Sequence, residues 1–345
     1  MHSVSARLAR YGKMFTLAGL LSGAFLGPVV AQAEWSAVVA AAKKEGLVYV
    51  YQSQHSTPHW QSVVKDFESR YGVKVQVYDA RASEMTEKIR VEQTAGRYLA
   101  DIEFHGRTSI LQQRETDFVQ KHGGMPNTVN LREEFPADEY SVPAWVQNVC
   151  FLYNTSLVKP DESPREWKDL LDPRWKGKML TDDMRVLGTG QTLFAVFYKV
   201  YGKAFLEKLQ AQDLVIDRDL RMGSRRVARG EFPILLTQQI ALASDLNGLP
   251  IKVVLPSDGC PYTPIRSAML RGAPHPNAAR LFMNHFIDMQ SQVTYGNAWV
   301  GTVVKGVTEK LATPESRAFA QVKLMGEIDY NDRVEMLDLA KKMMK

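Results

Sequence analysis

Leu47-Val-Tyr-Val-Tyr51, a helix-period segment from His59 to Arg70, and Val73-Lys-Val-Gln-Val-Tyr78 follow one another near the start of this 345-residue chain. The first run is short and apolar throughout, as a strand buried on both faces is, and the third alternates with period two. A helix between two strands is the crossover that parallel pairing requires. Upstream, Trp35-Ser-Ala-Val-Val-Ala-Ala-Ala-Lys-Lys-Glu-Gly46 has helical apolar spacing and ends on a glycine, the usual C′ residue. Downstream, Ser83 to Ala95 reads as helix, Ala100-Asp-Ile-Glu-Phe104 as strand and Thr108 to Val119 as helix. Strands alternating with helices predict an α/β fold with parallel strands.

The middle of the chain is less regular. Tyr140 to Asn154 is extended and too long for an ordinary strand, so it suits a segment running between two lobes. A polar turn from Pro160 to Pro164 leads to Trp167-Lys-Asp-Leu-Leu-Asp-Pro-Arg-Trp-Lys-Gly-Lys178. A second α/β series then runs from Met179 to Leu255, with Lys252-Val-Val-Leu255 as a strand. Pro256 to Pro264 reads as a Pro/Gly-rich connection, Ile265 to Leu270 as a strand, and the remainder to Lys345 as helices. There is no internal repeat, low-complexity segment or long polar linker. Lobes that share strands fit this pattern better than domains on a tether.

The first residues have the order of a secretory leader. Arg7, Arg10 and Lys13 form a positive region, Met14 to Val30 an apolar one, and Ala31-Gln32-Ala33 a small-x-small cleavage site before Glu34. A membrane anchor fits less well, because Gly19, Gly23, Gly27 and Pro28 interrupt the stretch. With no cysteine at the cleavage site, the expected mature protein is free in the periplasm. Its length exceeds one ordinary core, which predicts two domains. The net charge of +5 owes three charges to the leader, and elsewhere Lys and Arg are mixed with Asp and Glu. Without a basic block or aromatic-interleaved stripe, nucleic-acid binding has no support. Cys150 and Cys260 permit one disulfide in an oxidising compartment, though composition alone favours two small buried hydrophobes.

Catalytic motifs do not stand out. No G-x-S-x-G elbow, H-E-x-x-H helix, Walker loop or dinucleotide glycine pattern occurs, and no Cys/His cluster has zinc spacing. His55 and His59 lie four apart across Pro58, which places His55 in a loop and His59 at a helix start. Gly188-Thr-Gly-Gln-Thr192 precedes the apolar run Leu193-Phe-Ala-Val-Phe197. A Gly/Thr turn entering a helix presents unpaired N–H groups and the positive end of the helix dipole, which together can hold an anion. The same residues also serve as an ordinary N-cap through Thr189 or Thr192.

Taken in order, several stretches resemble the ferric-type, extracellular family 1, substrate-binding proteins of ABC importers. They are Trp35…Ala-Lys-Lys-Glu-Gly46 leading into Val48-Tyr-Val-Tyr-Gln-Ser-Gln-His55, then Phe67-Glu-Ser-Arg-Tyr-Gly-Val-Lys-Val75 and Leu152-Tyr-Asn-Thr155. Trp167 to Gly177, Gly230-Glu231 and Gly272-Ala-Pro-His-Pro-Asn-Ala-Ala-Arg-Leu-Phe282 leading to Gln292 complete the set. The resemblance implies an α/β fold of the type II periplasmic binding class, two lobes around a central ligand cleft with a two-strand hinge. It implies crossings near Trp145–Asn148 and Cys260–Pro264, and so a possible Cys150–Cys260 disulfide. The expected division is a signal peptide over 1–33, one lobe from 34–145 and 264–312, and a second from 146–263 and 313–345.

The same resemblance implies no catalysis and no cofactor; a ligand is delivered to an inner-membrane permease by a monomer. Ferric members hold iron through two adjacent tyrosines, a His and a Glu. His55 matches the His, but the Glu position falls at Gly106 and the tyrosines near Ile240-Ala241. The family's anion site, at a helix N-terminus, falls at Gly188, Thr189, Gly190, Gln191 and Thr192, with Gln238 or Gln239 as its amide. An anion cradle without the metal ligands points to a small organic anion such as a phosphonate, sugar phosphate or carboxylate. Arg107 and Arg225 are candidate charge partners, and Ser53, Gln54, His55 and Ser56 would read the ligand from the facing lobe. The alternatives are ferric binding through other ligands and a periplasmic enzyme on the same fold.

Overall fold

A computed structural model describes residues 27–52 and 57–344, with side chains from Gln32 onward. The expected leader falls mostly outside these residues. The first helix, α1 (Gly27–Glu45), runs through the expected cleavage point and ends at Gly46, whose φ of +70° suits a glycine. The first lobe then proceeds through β1 (Leu47–Gln52), α2 (Pro58–Tyr71), β2 (Lys74–Asp79), α3 (Ala82–Thr94), β3 (Ile102–Gly106), α4 (Arg107–Glu115) and β4 (Val119–Gln120). The alternation read from the sequence is present. One boundary is corrected: α4 stops at Glu115 rather than Val119, because Asp117 turns the chain with a φ of +58°.

The long strand β5 (Ser141–Asn154) is buried almost throughout. Beyond it come β6 (Met179–Thr181), α5 (Thr189–Tyr201), α6 (Lys203–Gln210), β7 (Val215–Ile216), α7 (Leu220–Ala228), β8 (Ile234–Gln239), α8 (Ile240–Ala243) and β9 (Ile251–Val254). The chain returns through β10 (Cys260–Leu270) and ends with α9 (Pro276–Phe286), α10 (Met289–Asn297), α11 (Pro314–Ala320), β11 (Leu324–Gly326) and α12 (Arg333–Met343). The strand path is β2-β1-β3-β10-β5-β8-β6-β7. Within it β1 runs parallel to β2 and β3, and β6 runs parallel to β7 and β8.

Two strands serve both halves. From Ser141 to Asn148, β5 pairs antiparallel with β10; from Val149 onward it pairs with β8 and β9. β10 faces β5 at Tyr262–Asn148 and lies against β3 from Gly106–Ile265 onward. The stretch Cys260–Pro264, read as a connection, is therefore strand, a correction with a tertiary cause: β5 pairs Tyr262–Pro264, and β11 pairs Cys260 and Pro261. A disulfide joins Cys150 to Cys260 with Cα atoms 5.3 Å apart.

Two apolar clusters flank this shared pair. One gathers Trp60, Phe67, Phe104, Trp145, Phe282, Phe286 and Tyr295; the other gathers Phe151, Trp167, Phe194, Phe197, Leu206 and Leu236. Trp60 meets Phe104 edge-on at 5.3 Å, and Phe104 stacks on Trp145 at 5.5 Å. Such contacts contribute roughly 0.5–1.5 kcal/mol each beyond area burial. They fix the β3–β10–β5 junction from which the site residues project.

Candidate functional site

In open α/β sheets ligands dock outside the carboxyl ends of the parallel strands, where the strand order reverses. Here β1 ends before Ser53, β3 ends at Gly106 before Arg107, β6 ends before Asp182, and β8 ends at Gln239. Of these, the end of β3 meets β10 at Thr263, and the end of β8 joins it through the start of α5. A Cβ at Gly106 would lie 3.5 Å from the Thr263 side chain, and Thr263 Oγ1 lies 3.3 Å from Thr192 Oγ1. Gln239 donates its Nε2–H to Thr189 Oγ1 at 2.7 Å. Thr189, Thr192, Thr263 and Gln239 thus form one hydroxyl-and-amide group beneath the end of β3. Ser53, Gln54, His55 and Ser56, expected to face them, lie outside the described residues.

The start of α5 differs from the expected open cradle. Asp182, only 8% exposed, accepts the Gly190 N–H on Oδ2 at 2.8 Å and the Asp183 N–H on Oδ1 at 2.9 Å. A carboxylate of the chain itself therefore already sits at this helix N-terminus. Burial outweighs the two N–H donors and pushes the Asp182 carboxyl above its ordinary range. Asp183 takes the opposite course: Arg185, and after it Arg218, hold its carboxylate well below the usual range. Gly190 packs so closely that a Cβ would stand 2.7 Å from the Asp183 backbone. Its glycine answers to close helix packing, and bulk placed there would probe the fold before it probed a ligand.

The remaining expected residues divide. Gln238 is buried, accepts from Ser224 Oγ at 2.7 Å and donates to the Gln239 carbonyl, so it braces β8. Gln191 donates to the Arg333 carbonyl at 3.1 Å and ties α5 to α12. Arg225 lies exposed on α7 without an ion pair among the described residues, and no contact joins it to the cluster. Arg107 opens α4 beside Gly106 and donates to Glu327 at 2.9 Å. Arg107 is half exposed, whereas Glu327 is largely covered, and burial pushes the Glu327 carboxyl up despite the guanidinium. Tyr262 lies half-buried on β10 near this pair, and its phenol is raised, first by burial and then by Glu327.

Sequence reading did not assign Asp182, Tyr262, Thr263 or Glu327 to the site; for Tyr262 and Thr263 the signal was their place in the implied crossing at Cys260–Pro264. His59 opens α2 with its ring edge-on to Tyr295 at 4.7 Å, and burial lowers it to about 4. Among the described residues, no group of three or more His, Cys, Asp or Glu side chains could hold a metal ion. No described helix is long and apolar enough to cross a membrane.

The profile of the bacterial extracellular solute-binding protein family matches residues 100–319. An uncharacterized protein of Haemophilus influenzae is 31% identical over 170 residues, which are 47% of this chain and 48% of the relative. The match thus spans about half the length of that curated relative. Among solved structures, the periplasmic binding protein AfuA from Actinobacillus pleuropneumoniae, with fructose-6-phosphate bound, superposes with a TM-score of 0.71 at 21% identity. That superposition covers 87% of this chain and 98% of AfuA. Iron-bound HitA from Pseudomonas aeruginosa superposes at 0.68 and 16% identity, covering 85% of this chain and 99% of HitA. The fold is that of the type II periplasmic binding proteins.

Proposed function

The chain belongs to the bacterial extracellular solute-binding proteins, and from that premise we propose that it captures a small hydroxylated organic anion between its lobes. The observation that carries this reading is the hydroxyl-and-amide group of Thr189, Thr192, Gln239 and Thr263 beside Arg107. Hydroxyls and amides donate and accept in turn, which suits a polyol body, and a guanidinium suits a phosphate or carboxylate in bidentate contact. Gly106, Ile240 and Ala241 stand where the ferric resemblance calls for anionic ligands, and none of them can ligate iron. AfuA, with fructose-6-phosphate bound, is a precedent on this fold for such a solute, and iron-bound HitA is a precedent for the rival.

The anion head is assigned to Arg107 rather than to the start of α5, which Asp182 already fills. A half-exposed ion pair such as Arg107–Glu327 is worth only about 0–1 kcal/mol, so an incoming anion can take over the guanidinium. Ser53, Gln54, His55 and Ser56, which follow β1 in the chain, are the residues proposed to read the solute from the other lobe. The protein then acts without chemistry: it is exported to the periplasm through residues 1–33, works as a monomer, and delivers its ligand to an ABC permease. The lobes are 34–145 with 264–312, and 146–263 with 313–345; closure about β5 and β10 excludes water from the bound solute.

Titration calorimetry on the mature protein, unfolded and refolded to remove carried ligand, tests this reading. The panel holds sugar phosphates, hydroxycarboxylates, phosphonates and Fe(III) with and without phosphate. Saturable binding of a hydroxylated anion, weakened in Arg107→Gln, is the expected result. Uptake of Fe(III) alone, with a visible charge-transfer band, would overturn it in favour of iron held by other oxygens such as those of Tyr262 and Glu327.

A further inference from the structure

A cavity of about 750 Å³ opens beside the edge strand β9, and none of its lining residues belongs to the cleft group. Its walls are β9, the Pro160–Arg165 turn, the segment after α8, and α11. The floor is apolar: Leu255, Val253, Trp299 and Phe319 pack in the cluster that holds the Cys150–Cys260 disulfide. Trp299 meets Phe319 at 4.8 Å. Trp299, with a φ of +63°, is the left-handed residue that caps the end of α10, where the Trp299 N–H reaches the Gly296 carbonyl and the Val300 N–H the Tyr295 carbonyl. The volume falls within the range of about 300–1,000 Å³ typical of small-molecule sites, which are apolar with a few placed polar groups.

The polar groups here are cations in excess. Arg165 and Lys252 are exposed on the lining, and neither makes an ion pair with a described residue. Glu315, on the α11 wall, is the single acid among the lining residues. We propose that this cavity is a second ligand site, taking a small apolar carboxylate whose aromatic or branched body lies on Trp299 and Phe319. Its carboxylate meets Arg165 and Lys252 at the mouth. Apolar burial supplies the affinity, and the two cations select an acid over its neutral analogue.

The probe is 8-anilinonaphthalene-1-sulfonate, followed by fluorescence on the refolded mature protein and displaced by 3-phenylpropionate or by the neutral 3-phenylpropan-1-ol. Saturable probe binding is expected, with the acid competing at least about fivefold better than the alcohol. Ala318→Trp fills the cavity from α11 and removes probe binding; Asn247→Trp does the same from the opposite wall should the first variant fold poorly. Arg165→Gln with Lys252→Gln weakens the acid about tenfold and leaves the alcohol unchanged. Probe binding unaltered in a folded blocking variant would overturn the site. Equal competition by acid and alcohol would overturn the ligand class.

Discussion

Asp182 and Glu327 each set a carboxylate against a group that could receive an anion, and they are held in opposite ways. Asp182 is buried against the first turn of α5, where Oδ2 takes the Gly190 N–H, which has no acceptor within the helix, while Oδ1 takes the N–H of the adjacent Asp183. Glu327 holds a half-exposed arginine at the end of a different strand, and that arginine keeps contact with water. The first carboxylate is part of the fold, because removing it would strand buried donors. The second is exchangeable, because the group it would leave behind can be met by solvent or solute. A helix N-terminus and an arginine look equally ready for an anion in sequence; burial of the resident carboxylate tells them apart.

The largest expected effect tests the fixed side. Gly190→Val drives a side chain into the Asp183 backbone, 2.7 Å from the ideal Cβ. It should cost about 3 kcal/mol or more, and Asp182→Ala, which leaves the Gly190 and Asp183 donors unmet, about 2 kcal/mol. Urea denaturation reads both. A Gly190→Val protein of unchanged midpoint would show that α5 does not press on Asp182–Asp183, and would reopen its first turn as an anion site.

Next in size is the exchangeable side. Arg107→Gln should leave stability within about 0.5 kcal/mol, as surface changes do, and weaken the anionic ligand about 10- to 100-fold. Calorimetry with the ligand found in the panel separates this from a folding defect. Loss of stability without loss of affinity would make Arg107 a brace for the β11 segment and nothing more.

How far the sequence revealed this contrast differs by residue. The strand-helix-strand order of the first lobe follows from period and length, and the unusual length of Tyr140–Asn154 marked the shared strand. Pro256–Pro264 misled, since proline and glycine are local signals of a loop whereas Cys260–Pro264 takes its strand form from β11 and β5 across the sheet. Thr116-Asp117 ended α4 early through a left-handed residue that helical spacing does not register. Gly188–Thr192 was legible as a helix start, but not that Asp182, eight residues away, would cap it. Glu327 stands 220 residues from Arg107, and nothing local joins them.

A third carboxyl lies deeper than either. Glu103 is fully buried on β3, takes a hydrogen bond from Gln113 at 3.1 Å, and has its other oxygen without a partner. Burial raises it to about 8, and burial lowers its neighbour His105 to about 4. A raised acid binds more protons in the folded state, so Glu103 erodes stability as pH climbs from 4.5 to about 8. A lowered histidine binds fewer, so His105 adds stability as pH climbs from about 4 to 6.5. The two oppose each other below 6.5, and above it Glu103 acts alone. Wild type should therefore lose about 1–2 kcal/mol between pH 6.5 and 8 relative to Glu103→Gln. Parallel urea curves for the two proteins at both pH values would show instead that the carboxyl reaches water.

The smallest effect bears most directly on exchange. If Glu327 competes with the ligand for Arg107, Glu327→Gln should tighten binding of the anion about two- to fivefold, since a pair whose guanidinium is half exposed is worth about 1 kcal/mol. The carboxyl is raised by burial, so mild acid protonates it sooner than an ordinary glutamate and frees the guanidinium. Affinity in the wild type should then rise as pH falls toward the carboxylate range, provided the ligand keeps its own charge, while in Glu327→Gln it should stay level. Calorimetric titrations of both proteins across that range read the two slopes. Weaker binding in Glu327→Gln would mean that the carboxylate holds the arginine in its docking position, and the pair would then belong with Asp182 as part of the fixed frame.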